Sequence, residues 1–141
     1  MIDNGLKIAV DFDGTIVEHK YPEIGEVKLF AFETLRLLQQ KGHKLILWTY
    51  RTGDVLDKAV EFCRENGIEF YAVNKNYPEE VYDCNTPRKI DADIYIDDKN
   101  IGGFPGWTEI WNMLDNSISD FDKKEKENLK RKKKSFRWRK K

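Results

Sequence analysis

The chain has 141 residues, of which 40% are hydrophobic, and it contains 8 Phe, 6 Tyr and 4 Trp. This size predicts one soluble domain with its own core, because such a chain buries roughly two thirds of its unfolded surface. No apolar run approaches the ~18 residues of a membrane span, and two cysteines without metal-type pairing do not make a disulfide framework. We therefore expect a cytoplasmic protein that does not contact membranes.

The zero net charge conceals two oppositely charged regions. Residues 123–141 contain twelve Lys or Arg and two Glu, a net charge of +10, whereas the first 122 residues have a net charge of −10. We divide the chain accordingly into a domain at residues 1–120 and a basic C-terminal tail at residues 121–141.

Apolar runs typical of strands alternate with amphipathic segments typical of helices. The predicted elements are a strand at 6–12, a helix at 26–41, a strand at 43–49, a helix at 54–66, strands at 68–73 and 93–97, and a helix at 108–114. The apolar faces of the first two helices consist of Val27, Phe30, Ala31, Leu35 and Leu38, and of Val55, Ala59, Phe62 and Cys63. This alternation predicts an α/β fold with a Rossmann-like, doubly wound parallel sheet.

Polar side chains follow three of the predicted strands. Asp11 and Asp13 end the first, residues 49–51 (Thr-Tyr-Arg) end the second, and Asp97 and Asp98 end the fourth. Ligands of open α/β sheets bind beyond the carboxyl ends of the strands, so we expect these side chains to converge on one site.

Four carboxylates at one sheet edge would repel one another, by ~1 to 4 kcal/mol for a pair about 4 Å apart. A bound cation relieves this repulsion, and carboxylate oxygens that leave room for water and phosphate suit Mg²⁺. Salt bridges to Lys or Arg, or an Asp-Gly turn that caps a helix, would explain one cluster but not all of them.

The sequence resembles the haloacid dehalogenase superfamily over residues 6–114. The resemblance rests on the Asp-Phe-Asp-Gly-Thr segment at residues 11–15, on Thr49 after the second strand, on Lys89 before the fourth, and on the pair Asp97-Asp98. It is strongest to small bacterial members without a cap domain. It implies a Mg²⁺-dependent phosphatase that hydrolyses a phosphate monoester.

The resemblance also implies a role for each matched residue. Asp11 is the nucleophile that forms an aspartyl-phosphate, and Asp13 is the acid and base, which requires a raised pKa or protonation on phosphate binding. A proton donor at position 13 favours phosphoryl transfer over carbon–halogen cleavage. Thr49 holds the phosphoryl group, and Lys89 offsets negative charge, although Arg88 beside it and Lys75 upstream are alternatives.

Mg²⁺ is the implied cofactor. Its ligands would be the Asp11 carboxylate, the Asp13 main-chain carbonyl and Asp97, with Asp98 as a supporting or alternative ligand.

The spacing between the motifs leaves no room for a cap domain. Residues 18–25, which we call the flap, are too few for one, so the site should be open. Tyr50 and Arg51 follow the second motif and are candidate substrate-binding residues, while Arg51 could instead be a surface residue paired with Asp54. His19 in the flap could touch substrate or simply be exposed.

Other phosphatase and hydrolase schemes lack their residues. Neither cysteine is followed by the arginine of a cysteine phosphatase loop, and the sequence contains neither a G-x-S-x-G motif nor a P-loop. A phosphorylated receiver domain has its acidic pair at the end of the first strand and its phosphorylated aspartate at the end of a middle strand. This order is the reverse of the one in this sequence.

The basic tail supports a hypothesis of another class. Phe136 and Trp138 among basic residues could stack on bases while lysines neutralise phosphates, which would make the chain a nucleic-acid-binding protein with an auxiliary phosphatase-like domain. The alternative is a solvated tail, or one lying on the acidic body. Both functions combine in a phosphatase that acts on nucleic-acid ends. The substrate and the oligomeric state are not determined by the sequence.

Overall fold

The structure, a computed structural model, describes residues 5–139, with the backbone alone for residues 116–126 and 135–139. Its elements, in chain order, are strand β1 (Lys7–Val10), helix α1 (Ala31–Gln40), strand β2 (Lys44–Leu47), helix α2 (Gly53–Glu65), strands β3 (Ala72–Val73) and β4 (Ile94–Ile96), and helix α3 (Trp107–Arg139).

The strands of the described residues form one parallel sheet in the order β3-β2-β1-β4. Val10 of β1 pairs with Leu47 on one side and with Ile96 on the other. The predicted α/β class with a parallel, Rossmann-like sheet is therefore confirmed. Because the chain adds β2 and β3 on one side of β1 and β4 on the other, the strand order reverses beside the carboxyl end of β1, the usual ligand position in such sheets.

The core lies on and around the two central strands. Residues 8–10 of β1 and 45–47 of β2 are buried without interruption, as expected for strands covered on both faces. Cys63 of α2 is also completely buried, which confirms the predicted inward face of this helix.

The first helix begins at Ala31 rather than at Glu26, so the predicted inward positions of Val27 and Phe30 are wrong. Both side chains are exposed, by 42% and 49%. Residues 26–28 pair instead with the segment that leaves the first motif: Glu18 N–H donates to Glu26 at 2.7 Å and Lys28 N–H donates to Ile16 at 2.9 Å. Phe30 has a left-handed backbone, with φ of 64°, which prevents helix from extending backward.

The chain divides into a compact unit, Met1–Trp107, and a second unit, Thr108–Lys141. This division falls earlier than the predicted boundary at residue 120. The helix predicted at 108–114 is present but continues through residue 139, consistent with the strong helix propensity of its many Lys, Arg and Glu residues. The side chains of Phe136 and Trp138, on which the nucleic-acid hypothesis depends, lie outside the described residues. None of the helices described is both long and apolar enough to cross a membrane.

Candidate active site

The predicted strand-end residues meet at the carboxyl edge of the sheet. All of them except Arg51 line a pocket of about 760 Å³. The residues around it are Asp11, Asp13, His19, Tyr21, Trp48, Thr49, Tyr50, Arg88, Asp97, Asp98 and Lys99. The parallel sheet therefore brings together segments that lie more than eighty residues apart in sequence.

Three carboxylates form the most acidic part of this pocket. One oxygen from each of Asp11, Asp97 and Asp98 lies within 4.8 Å of the other two. Burial, followed by the charge of Asp97 and contact with Asp98, raises the pKa of Asp11 to about 7. Burial also opposes ionisation of Asp98, but hydrogen bonds from Asp11 and Asp97 outweigh it, and the pKa of Asp98 is lowered. Asp11 is thus protonated readily when no cation is present to balance the cluster.

Thr15 and Gly14 place the cluster through the turn that follows β1. The Thr15 hydroxyl donates to Asp11 at 3.0 Å, and the main-chain carbonyl of Thr15 accepts from the indole N–H of buried Trp107 at 2.8 Å. Gly14 has φ of +84°, and a Cβ added there would lie 2.0 Å from Asp98 Oδ2. Only glycine lets the turn adopt this backbone and the Asp98 carboxylate approach so closely.

Arg51 has a contact that neither sequence interpretation anticipated. It is neither a substrate-facing side chain nor a surface residue paired with Asp54, because it is 1% exposed and forms a bidentate ion pair with Asp13. Its Nε donates to Asp13 Oδ2 at 2.8 Å and its Nη2 donates to Asp13 Oδ1 at 2.7 Å. The Asp13 carboxylate, predicted to act as acid and base while the main-chain carbonyl of Asp13 binds the metal, is therefore held by the guanidinium and does not belong to the three-carboxylate cluster.

The remaining donors of Arg51 attach the flap to the site. They reach the carbonyls of Pro22 and Glu23 in the flap, at 3.0 and 2.7 Å, and the carbonyl of Val55 in α2, at 3.1 Å. All five guanidinium N–H groups are thereby engaged within the protein. The plane of the group is also covered, since the rings of Phe12 and Tyr21 lie 5.1 and 5.2 Å from its carbon.

Thr49 is positioned by an asparagine that sequence reasoning missed. The Thr49 N–H donates to the Asn74 side chain at 2.8 Å, and the Thr49 hydroxyl accepts from the Arg51 N–H at 3.2 Å. Asn74 directly follows β3 and has φ of 55°, a left-handed conformation that asparagine tolerates better than most residues. The sequence feature that could have identified Asn74 is its position as a polar residue directly after the third strand.

Lys89 does not reach the pocket. Its ammonium group lies over the ring of Tyr95, 5.3 Å from the centroid, whereas the neighbouring Arg88 lines the pocket and donates to the Tyr82 hydroxyl at 3.1 Å. Lys75 lies in a separate groove beside β3. Lys99, which sequence reasoning also missed, is on the pocket wall directly after the Asp97-Asp98 pair.

The fold and the site define an α/β protein with a parallel sheet and an acidic pocket at the point where the strand order reverses. The chain is 57% identical to a solved structure of a conserved protein coded by a locus from Bacteroides thetaiotaomicron, with a TM-score of 0.77. The match covers 81% of this chain and 93% of the other. The chain therefore belongs to the family of this conserved bacterial protein. It matches no protein-family model and no curated protein.

Proposed function

We propose that the protein is a Mg²⁺-dependent phosphatase of the haloacid dehalogenase type, with a doubly wound α/β domain and no cap, that hydrolyses a phosphate monoester. The observation that carries the proposal is the convergence of Asp11, Asp97 and Asp98 within 4.8 Å at the carboxyl edge of the sheet. The raised pKa of Asp11 supports the proposal. Neighbouring carboxylates that share a cation repel one another when the cation is absent, and this repulsion raises the pKa of the most buried one.

The donor set fits magnesium. All three side chains offer carboxylate oxygens, the ligands that Mg²⁺ prefers, and the pocket leaves space for water and phosphate. When bound there, the ion would neutralise the phosphate oxygens and keep Asp11 ionised.

Asp11 is the nucleophile in this proposal. Its carboxylate oxygen attacks phosphorus, the bond from phosphorus to the leaving oxygen breaks, and an aspartyl-phosphate forms. The Thr15 hydroxyl, 3.0 Å from Asp11 Oδ2, orients the attacking carboxylate. Thr49 and Arg88 lie on the pocket wall and would hold the phosphoryl oxygens, so Arg88 takes the role that the sequence assigned to Lys89.

Asp13 would accept the proton of the hydrolytic water in the second step. Its bidentate pair with Arg51 binds the anionic carboxylate and fixes its orientation, and each carboxylate oxygen keeps a second lone pair for the water proton. Water oxygen bonds to phosphorus, the bond from phosphorus to Asp11 breaks, and inorganic phosphate leaves. In the first step the leaving oxygen can take a proton that the substrate brings, since the second pKa of a phosphate monoester is about 6.

Phosphate release from a panel of phosphate monoesters, with Mg²⁺ or with EDTA, tests this function. We expect turnover with Mg²⁺ alone, and its loss in Asp11→Asn. Asp91→Asn is the matched control, because Asp91 is exposed and does not line the pocket. Turnover in Asp11→Asn equal to that of the wild type would refute the nucleophile and with it the proposal.

Nucleic-acid binding by α3 is a second candidate function. Every residue from 127 to 134 is exposed, and five consecutive cations, Lys130 to Lys134, lie in this stretch. Exposed cations on a helix can neutralise phosphates, and affinity then falls linearly with the logarithm of the salt concentration. The test compares the full chain with a variant lacking residues 123–141 for binding to a labelled oligonucleotide. Equal affinity of the two proteins would exclude this function.

A further inference from the structure

Part of the pocket lining is aromatic and has no role in the phosphoryl chemistry. Tyr21, Trp48 and Tyr50 all line the pocket that contains the carboxylate cluster. Tyr50 is 91% exposed and Tyr21 is 43% exposed, so both rings are left facing water in the free protein. Single exposed aromatic residues are ordinary on protein surfaces, but three at one pocket form a surface that an apolar, flat group would cover.

Trp48 and Tyr21 pack against the protein, and Tyr50 contacts the ring of Tyr21. Trp48 packs against the buried cluster that contains Ile46 and Ile90. The Tyr21 ring lies against the buried Arg51 guanidinium at 5.2 Å and meets Tyr50 edge to face, with 6.3 Å between the ring centroids. Because Trp48 and Tyr21 are already packed against the protein, a ligand that stacks beside them costs little ordering of these two side chains, which favours binding.

The size of the pocket agrees with a ligand larger than phosphate. Its volume of about 760 Å³ lies within the range of small-molecule sites. The acidic cluster with Thr49 accounts for the phosphoryl group and its cation, and the aromatic lining extends the site to the leaving group.

We infer that the substrate is a nucleotide, whose phosphate reaches the carboxylate cluster while its base stacks on Tyr50 and the adjacent rings. This inference rests on the proposed function, because it assigns the leaving group of the same reaction. Every base has a flat face that tyrosine and tryptophan can stack on, so the site accepts several bases. Free nucleotides and phosphorylated nucleic-acid ends share this chemistry.

Binding of phosphonate analogues, which are not hydrolysed, tests the inference separately from turnover. We expect the analogue of a nucleoside monophosphate to bind the Mg²⁺-loaded wild-type protein about tenfold more tightly than the analogue of glycerol phosphate. Tyr50→Ala should abolish this preference and Tyr50→Phe should keep it, and neither change threatens the fold because the side chain is 91% exposed. Tyr77→Ala, at an exposed tyrosine that does not line this pocket, is the matched control and should keep the preference.

Equal affinity for the two analogues, or a preference that survives in Tyr50→Ala, would overturn the inference. A 5′-phosphorylated oligonucleotide in the same assay shows whether the substrate is a free nucleotide or a nucleic-acid end: tighter binding than the mononucleotide points to nucleic-acid ends, and weaker binding points to free nucleotides.

Turnover separates the nucleotide inference from the proposed phosphatase function. Hydrolysis of glycerol phosphate and nucleotide with equal kcat/KM would refute the nucleotide while leaving the phosphatase standing. Preferential nucleotide binding without phosphate release from any substrate would refute the phosphatase alone.

Discussion

Replacing Arg51 with methionine removes one partner of a buried ion pair and tests how the site is held together. The Arg51 side chain is fully buried and that of Asp13 is 11% exposed, so little water can replace the lost contacts. Asp13 then keeps a nearly buried charge without its guanidinium, and the carbonyls of Pro22, Glu23 and Val55 lose a donor.

The expected cost follows from this burial. Removing one partner of a buried pair lowers the free energy of unfolding by about 3–5 kcal/mol. Domains of this size have about 5–15 kcal/mol in total, so Arg51→Met should remove a large share of the stability. The double variant Arg51→Met/Asp13→Asn removes the unpaired charge as well. It should be more stable than the sum of the single changes predicts, with a coupling energy of about 2 kcal/mol.

Urea unfolding followed by fluorescence measures these differences. Arg64→Met is the matched control, because Arg64 pairs with Glu61 at 2.9 Å but is 58% exposed, and exposed pairs contribute only about 0–1 kcal/mol. If Arg51→Met costs no more than Arg64→Met, or if the changes at Arg51 and Asp13 are additive, the argument that this pair organises the site is wrong.

Three further predictions concern the acidic cluster and the cysteines. Gly14→Ala should reduce phosphate release at least tenfold, since the added Cβ would lie 2.0 Å from Asp98 Oδ2. Gly42→Ala is the control, because Gly42 also has a positive φ but no atom lies within 4 Å of a Cβ added there. Equal losses of activity in the two variants would contradict this reasoning. Without divalent ions the free energy of unfolding should fall as the pH rises from about 4 to about 7, because the pKa of Asp11 is raised to about 7 and unfolded Asp11 releases its proton first. Mg²⁺ should stabilise the protein increasingly over the same window, by competing with that proton, and a Mg²⁺ effect independent of pH would contradict it. A thiol reagent should label exposed Cys84 and spare Cys63 in the native protein, because burial raises the pKa of Cys63 to about 12; two labelled thiols before denaturant is added would show that the α2 face is open.

The sequence alone determined the type and order of most elements and which residues end the central strands. The apolar runs of β1, β2 and β4 are readable in the local pattern. Those of β1 and β2 reflect burial on both faces of the sheet, whereas β4 is an edge strand in which Tyr95 is 37% exposed. Asp11 and Asp97 directly follow two of these runs, so their convergence follows from the parallel sheet. Assignment to the haloacid dehalogenase type stays a prediction that the activity tests address.

Only the tertiary structure decided which partner each polar side chain meets. Arg51 and Asp13 are 38 positions apart, and no periodicity links a guanidinium to a carboxylate at that distance. The amphipathic pattern at residues 26–30 predicted helix, but hydrogen bonds to residues 16–18 were stronger competitors for that backbone. Whether Arg88 or Lys89 lines the pocket depends on the path of the irregular segment that contains both residues. No periodicity of the sequence predicts the direction of adjacent side chains in such a segment. Local periodicity reports which face of an element is buried, whereas a specific contact depends on how distant elements pack.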